Sequence, residues 1–223
     1  MSDAKLLVTD LPFILFSGLA ADDTLLKPQI LAFPNLVVPA WPQPMPKESL
    51  AGYCERLAED LRPLGAIAIG GVSFGGIIAL EVAKILKPRC VILIASVRSP
   101  SALPWRLRAM RPFLPLLPLL PITWIQWLAA AIPLWSAVYA GVIKQFRQAD
   151  PQTLRWSILQ VFKWKSAPTL DCPIFQIHGN RDFVFPISLA QPNEIIKGGG
   201  HLISLTRGKQ VNTFISHCLE STT

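Results

Sequence analysis

Ala66-Ile67-Ala68-Ile69-Gly70-Gly71-Val72-Ser73-Phe74-Gly75-Gly76 is the stretch on which the reading of this chain turns. An apolar run, Ala66 to Gly70, leads into Gly71-Val72-Ser73-Phe74-Gly75, and an apolar helical pattern follows from Ile77 to Leu86. A strand therefore turns sharply into a helix with a serine at the apex, which presents the hydroxyl where a nucleophile needs it. Such a turn holds the serine backbone in a sparsely populated conformation, at a cost of about 1–3 kcal/mol. The flanking glycines let strand and helix approach closely, and a side chain at Gly71 or Gly75 would block the turn. The five-residue pattern alone is weak, since a chain of this length shows it by chance about one time in ten. Its meaning comes from the strand before it and the helix after it.

Outward from this turn, strand candidates recur at Pro12 to Phe16, Leu36 to Pro39, Ala66 to Gly70, Cys90 to Ala95, Pro173 to His178 and Glu194 to Lys197. Helical patterns at Glu48 to Leu61 and Phe74 to Leu86 lie between them, the β/α alternation of a mostly parallel sheet. The strands read as continuous apolar runs because such a sheet is covered on both faces. This is an α/β fold with a minimal sheet of about six strands. With 223 residues, 51% of them apolar, the chain suits one domain with an insertion.

The insertion is visible in composition. Positions 98–168 hold six of the seven tryptophans and nine of the 21 prolines. They also hold nine basic residues against the single acid Asp150, a net +8, whereas the rest of the chain has 12 basic and 13 acidic residues. The expected organisation is a core of 1–97 and 169–223 carrying a helical cap at 98–168. The protein's net charge of +7 thus resides in the insertion. No nucleic-acid-binding motif accompanies these charges, so nucleic acid is not expected as a partner. Pro112 to Ile143 carries no charge and is long enough on paper to span a membrane. Prolines at 112, 115, 118, 121 and 133 divide it, which favours short kinked helices lining or covering a cavity. An interfacial segment dipping Trp and Leu into an anionic bilayer is a further possibility. Its Trp and Leu stripe could equally be core or substrate wall.

Cys54, Cys90, Cys172 and Cys218 lie far apart, with no C-x-x-C pair and no Cys/His cluster, so free thiols in a reducing compartment are expected. Lys5 before an apolar stretch ending Gly18-Leu19-Ala20-Ala21 loosely imitates an export leader, but Asp10 and Pro12 interrupt it. A cytoplasmic location is the expectation.

A serine attacks only when a base takes its proton and a third group orients that base. Downstream, Ile174 to Ile177 is followed by His178-Gly179-Asn180-Arg181-Asp182, which sets Asp182 in a loop at a strand's carboxyl end. After the last strand, Gly198-Gly199-Gly200 can carry His201 inward. The order Ser, Asp, His is the one that goes with a serine on such a turn. Asp171 is the rival acid. His217 falls in an amphipathic C-terminal helix, and His178 at a strand end is better placed to support the acid loop.

With these residues the chain resembles the α/β-hydrolase superfamily, in particular its small lidded esterase-like members. The resemblance runs nearly the whole length, from Phe16-Ser17-Gly18-Leu19 through Ser73 and the Asp182 loop to Gly200-His201. It implies a serine hydrolase with a helical cap, in which the backbone N–H groups of Leu19 and Phe74 form the oxyanion hole. The chain departs from the family in carrying Ser17-Gly18 where His-Gly is common, and in having the first two strands missing or reduced to Lys5 to Val8. The expected activity is cleavage of a carboxylic ester, the apolar cap favouring a medium or long acyl group. Ser73 would be the nucleophile, His201 the base and Asp182 its orienting acid, with no metal or organic cofactor. Alternatives are a thioesterase acting on acyl-carrier or acyl-CoA substrates, a lyase using the same groups as a base, and a non-catalytic ligand-binding protein. The basic cap adds an anionic acyl carrier or an anionic membrane surface as possible partners.

Overall fold

Apolar side chains at successive strand positions point to opposite faces of a sheet, so continuous apolar strands require a layer on each side. The computed structural model describes residues 12–19, 21–65, 68–114, 123 and 137–222. It contains six strands: β1 (Phe13–Phe16), β2 (Leu36–Val37), β3 (Ala68–Val72), β4 (Cys90–Ile94), β5 (Ile174–Gly179) and β6 (Glu194–Ile196). They form one sheet in the order β2-β1-β3-β4-β5-β6, and every pairing is parallel. All six expected strands are present. Strand β3 runs two residues further than Gly70 because Gly71 and Val72 pair with Leu93 and Ile94 of β4. Ladder pairing thus continues up to the serine. Ala66 and Ile67, and the Lys5 to Val8 segment, lie outside the described residues.

Alternation sorts the core into two halves. Ile14, Phe16, Ile69, Val91 and Leu93 face helices α2 (Leu50–Leu61) and α3 (Phe74–Leu86), whereas Phe13, Leu15, Ala68, Ile92 and Ile94 face the C-terminal helix, against which α1 (Lys27–Ala32) packs. Helix α2 places Leu50, Tyr53, Cys54, Leu57, Ala58 and Leu61 on one buried stripe, and the Ser49 side chain caps it by accepting from the Gly52 amide. Helix α3 is apolar nearly all round because it is sandwiched between the sheet and α2. On the other face the C-terminal helix Gly208–Glu220 buries Val211, Phe214, Ile215, Cys218 and Leu219. Each fully buried Leu, Ile or Phe stabilises the fold by about 1.5–3 kcal/mol. The two stripes therefore hold the sheet rigid beneath the site.

Between β4 and β5 the described residues form α4 (Trp105–Ala109), α5 (Ala137–Gln148) and α6 (Pro151–Lys163). Asp150 starts α6 by accepting from the Thr153 amide. Most of the uncharged run from Pro112 to Ile143 lies outside the described residues. Trp156 and Trp164 are core: Trp156 packs on Tyr53 at 4.4 Å between ring centroids and donates to the Glu48 carbonyl, and Trp164 donates to Glu81 Oε1. Trp105 is 74% exposed. Among the described residues no helix is long and apolar enough to cross a membrane.

Candidate active site

The carboxyl ends of β3 and β4 fix the serine. The Ser73 amide donates to the Ile94 carbonyl at 3.0 Å, and Ser96 Oγ donates to the Ser73 carbonyl at 2.7 Å. Between these anchors Ser73 adopts φ 54° and ψ −120°, a conformation L-residues avoid. The turn closes tightly enough to demand glycine. A Cβ at Gly71 would lie 2.1 Å from the Gly75 carbonyl oxygen, and one at Gly75 would lie 2.2 Å from the Ser17 carbonyl oxygen. Both contacts are with backbone, so neither can be relieved by turning a side chain.

Strand β5 ends at Gly179 and delivers Asp182 into a buried loop. Its Oδ1 accepts from the Val184 and Phe185 amides at 2.8 and 2.9 Å, a side-chain turn that needs an aspartate or asparagine. Its Oδ2 accepts from His201 Nδ1 at 2.8 Å and from His178 Nε2 at 3.1 Å. Burial alone would raise the Asp182 pKa. The hydrogen bonds from His178 and His201, with the electrostatic attraction of the His201 ring and the Phe185 amide, outweigh it and hold the carboxyl well below the usual carboxylate range. The acid is ionised at neutral pH.

His201 completes the arrangement, its Nε2 2.9 Å from Ser73 Oγ. Because Nδ1 faces a carboxylate it carries the proton, and Nε2 is left with a lone pair aimed at the serine hydroxyl. The His201 loop is laced to the acid loop: the Arg181 amide donates to the Gly199 carbonyl, and the Gly198 amide donates to Asn180 Oδ1. Asp171 sits before β5, beside Lys84 and Lys87 at the opposite end of the sheet. His217 is exposed on the C-terminal helix. His178 is fully buried, and its Nε2 also lies 2.8 Å from the Phe185 carbonyl. Facing two acceptors, that nitrogen must be the protonated one, so His178 braces the acid loop from beneath.

Leu19 and Phe74 line the same apolar cavity as Ser73 and His201, and neither amide has a hydrogen-bond partner among the described residues. The loop carrying Leu19 is held by a residue that sequence reasoning passed over. Trp41 Nε1 donates to the buried Ser17 Oγ at 2.7 Å, Ser17 Oγ donates to the Ala21 carbonyl at 2.8 Å, and the Trp41 ring stacks on Phe74 at 5.6 Å. The available signal was that Trp41 is the one tryptophan outside positions 98–168. The cavity measures about 390 Å³ and is walled by Leu107, Val142, Ile158, Val161, Phe162 and Phe185, among others. Among the described residues no group of three or more His, Cys, Asp and Glu gathers to hold a metal ion.

A parallel α/β sheet with a serine on the turn after a central strand, and an acid and an imidazole delivered by later strand ends, defines a class of protein rather than a single one. The chain belongs to the alpha/beta hydrolase family, whose model matches residues 14–213. Its fold is similar to that of a thermophilic esterase from Thermogutta terrifontis, with a TM-score of 0.71 at 20% identity over 96% of this chain and 91% of that one. A hydrolase from Oleispira antarctica superposes with a TM-score of 0.72 at 16% identity, covering 95% and 92% of the two chains. The RedJ thioesterase of the prodiginine pathway in Streptomyces coelicolor gives 0.65 at 16%, covering 93% and 89%. No curated protein matches the sequence.

Proposed function

We propose that this protein is a serine hydrolase that cleaves a carboxylic ester with an apolar acyl group through an acyl-enzyme. The observation that carries the reading is the continuous relay from Ser73 Oγ through His201 to Asp182, with contacts of 2.9 and 2.8 Å, opening onto an apolar cavity. Ser73 Oγ attacks the acyl carbon as His201 Nε2 takes its proton, and the carbonyl π pair moves onto oxygen. The Leu19 and Phe74 amides face that oxyanion, and losing one such donor typically costs about 2.7–4 kcal/mol of transition-state stabilisation. The tetrahedral intermediate collapses, the C–O bond to the alcohol breaks, and His201 returns the proton to the leaving oxygen. Water then attacks the acyl-enzyme by the same route and releases the acid.

A helical cap formed by 98–168 is part of this reading, since α4, α5 and α6 contribute Leu107, Val142, Ile158, Val161 and Phe162 to the cavity wall. The same machinery accepts a thioester, and the basic residues of 98–168 supply charge for meeting an acyl carrier. Labelling with a fluorophosphonate tests the central claim: wild-type protein reacts at Ser73, and Ser73→Ala does not. A lyase would show no burst of alcohol from an activated ester, and a non-catalytic binding protein would neither label nor turn over.

A further inference from the structure

The Leu19 amide and the Phe74 amide come from separate elements, the loop after β1 and the start of α3, yet one side chain from a third segment meets both. Trp41 follows β2 and is itself fixed from the core. The hydroxyl of Tyr53, on the buried stripe of α2, donates to the Pro42 carbonyl at 2.9 Å, and the Tyr53 and Trp41 rings stack at 6.3 Å with 26° between their planes. The indole also stacks on Phe74 at 5.6 Å, nearly parallel at 16°. It thus reaches from a buried helix to the residue that follows the nucleophile.

The polar edge of the indole decides the shape of the Leu19 loop. An indole N–H can only donate, so Ser17 Oγ accepts from Trp41 Nε1 at 2.7 Å and its own proton is committed to the Ala21 carbonyl at 2.8 Å. That bond joins residues 17 and 21 across the loop, and the Ala21 amide donates back to the Gly18 carbonyl at 3.1 Å. Leu19 stands inside both closures and lines the cavity beside Ser73. Ser17 is 1% exposed, so water does not stand in for the indole. Without that donor the hydroxyl is free to turn from Ala21, and the bond that closes the loop weakens. The loop also bears directly on the serine turn, since a Cβ at Gly75 would lie 2.2 Å from the Ser17 carbonyl oxygen.

We propose that Trp41 is a positioning residue for the oxyanion hole, setting the Leu19 amide through the Ser17 hydroxyl and the Phe74 amide through the ring stack. Trp41 does not line the cavity beside Ser73 and acts through two residues that do. A hole made of two backbone N–H groups has no side chain of its own to fix it, and its donors stabilise the transition state only where they are preorganised at the place the oxyanion will occupy. A rigid ring that holds both arms at once supplies that preorganisation. This assignment rests on the hydrolase reading.

Steady-state kinetics on p-nitrophenyl octanoate and on its thiono counterpart, in which sulfur replaces the carbonyl oxygen, test it with Ser17→Ala and Trp41→Phe. Trp41→Phe keeps a ring and loses the N–H; Ser17→Ala leaves the indole whole. Each should lower kcat for the oxygen ester by about tenfold or more, with KM within about twofold, because the displaced donors act in the transition state. Sulfur accepts hydrogen bonds weakly, so kcat for the thionoester should fall by less than about twofold. The double variant should be little worse than Trp41→Phe, since both changes break one chain of hydrogen bonds. Equal losses on the two esters, a rise in KM at constant kcat, or unchanged kinetics overturns the proposal. Hydrogen exchange at the Ala21 amide, read by NMR, should be at least about fivefold faster in both variants while the amides of α2 keep their rates. Unaltered exchange at Ala21 also overturns it. Absence of wild-type turnover overturns the hydrolase reading, while the exchange rates still decide whether Trp41 holds the loop.

Discussion

Four hydrogen bonds converge on the Asp182 carboxylate, from Val184, Phe185, His178 and His201, whereas the helices between β4 and β5 reach the core through a few well-separated side chains. Trp156 and Gln160 meet the Glu48 carbonyl, Trp164 meets Glu81, and Gln145 meets Asp22 and Thr24. One region is over-determined, so that a single geometry survives. The other is anchored at points and leaves space between them. A reacting constellation needs the first construction, because misplacement by about 1 Å can cost a hundredfold in rate. A substrate wall tolerates the second, since apolar contacts are non-directional.

If that contrast is right, substitutions in the two regions should differ in kind as well as in size. The largest effects belong to the sheet end. Ser73→Ala and His201→Ala should each lower kcat by on the order of 10⁴ or more, and the double variant should be little worse than either alone. Additive losses in steady-state kinetics would show that the two groups do not act as a unit. Gly75→Val should fail to fold or lose the turn, since its side chain would meet the Ser17 and Phe16 carbonyls. A well-folded, active Gly75→Val protein by circular dichroism and ester assay would contradict the geometry of the turn.

Asp182→Asn keeps the side-chain shape but can present an N–H to His201 and favour the wrong tautomer, with an expected loss of about 10⁴ in kcat. Asp171→Asn, at the far end of the sheet, should leave kcat within about twofold. The reverse ranking would relocate the acid. Asp182 also links stability to pH. Its folded pKa is depressed, so it binds fewer protons in the native than in the unfolded state at intermediate pH, and stability rises with pH there. The contribution is complete above the unfolded value near 4 and is lost as pH falls through the lower folded value. Urea titrations between pH 5 and 2 should therefore show wild type losing more stability than Asp182→Asn. Equal slopes would mean that the carboxylate is not held ionised by its partners.

His178→Phe removes a donor shared by Asp182 Oδ2 and the Phe185 carbonyl, and should cost about 1–3 kcal/mol in urea-unfolding free energy. A loss below about 0.5 kcal/mol would count against its bracing role. In the other region effects should be smaller and selective. Ile158→Phe narrows the apolar cavity and should lower kcat/KM for a dodecanoyl ester by about tenfold relative to an acetyl ester, in the range set by one or two methylenes. A uniform loss on both esters would show that α6 acts on folding rather than on chain length. Smallest of all, Arg108→Gln on the exposed side of α4 should change kcat/KM for a neutral ester by less than about twofold. A salt-dependent loss on an anionic acyl substrate alone would instead mark the basic segment as a docking surface for an acidic carrier or membrane.

The order of elements, the covered parallel sheet and the positions of Ser73, Asp182 and His201 were legible because each has a local signature. Periodicity marks the strands and the stripes of α2 and the C-terminal helix, and close backbone approach confines Gly71 and Gly75 to glycine. Even so, β3 runs on to Val72, since ladder pairing with β4 depends on the neighbouring strand and not on the residues themselves. Partnerships across large sequence separations had no such signature. Trp41 on Ser17 and Gln145 on Asp22 are each joined by a turn of the fold and marked by nothing in their flanks. The division of the 98–168 tryptophans was equally undecided by composition, and only packing against Tyr53 and Glu81 made Trp156 and Trp164 core. The sequence by itself determined which groups were available and in what order the strands would present them. The tertiary structure decided which of them touch, because hydrogen bonds and cavities belong to surfaces that meet only when the chain closes on itself.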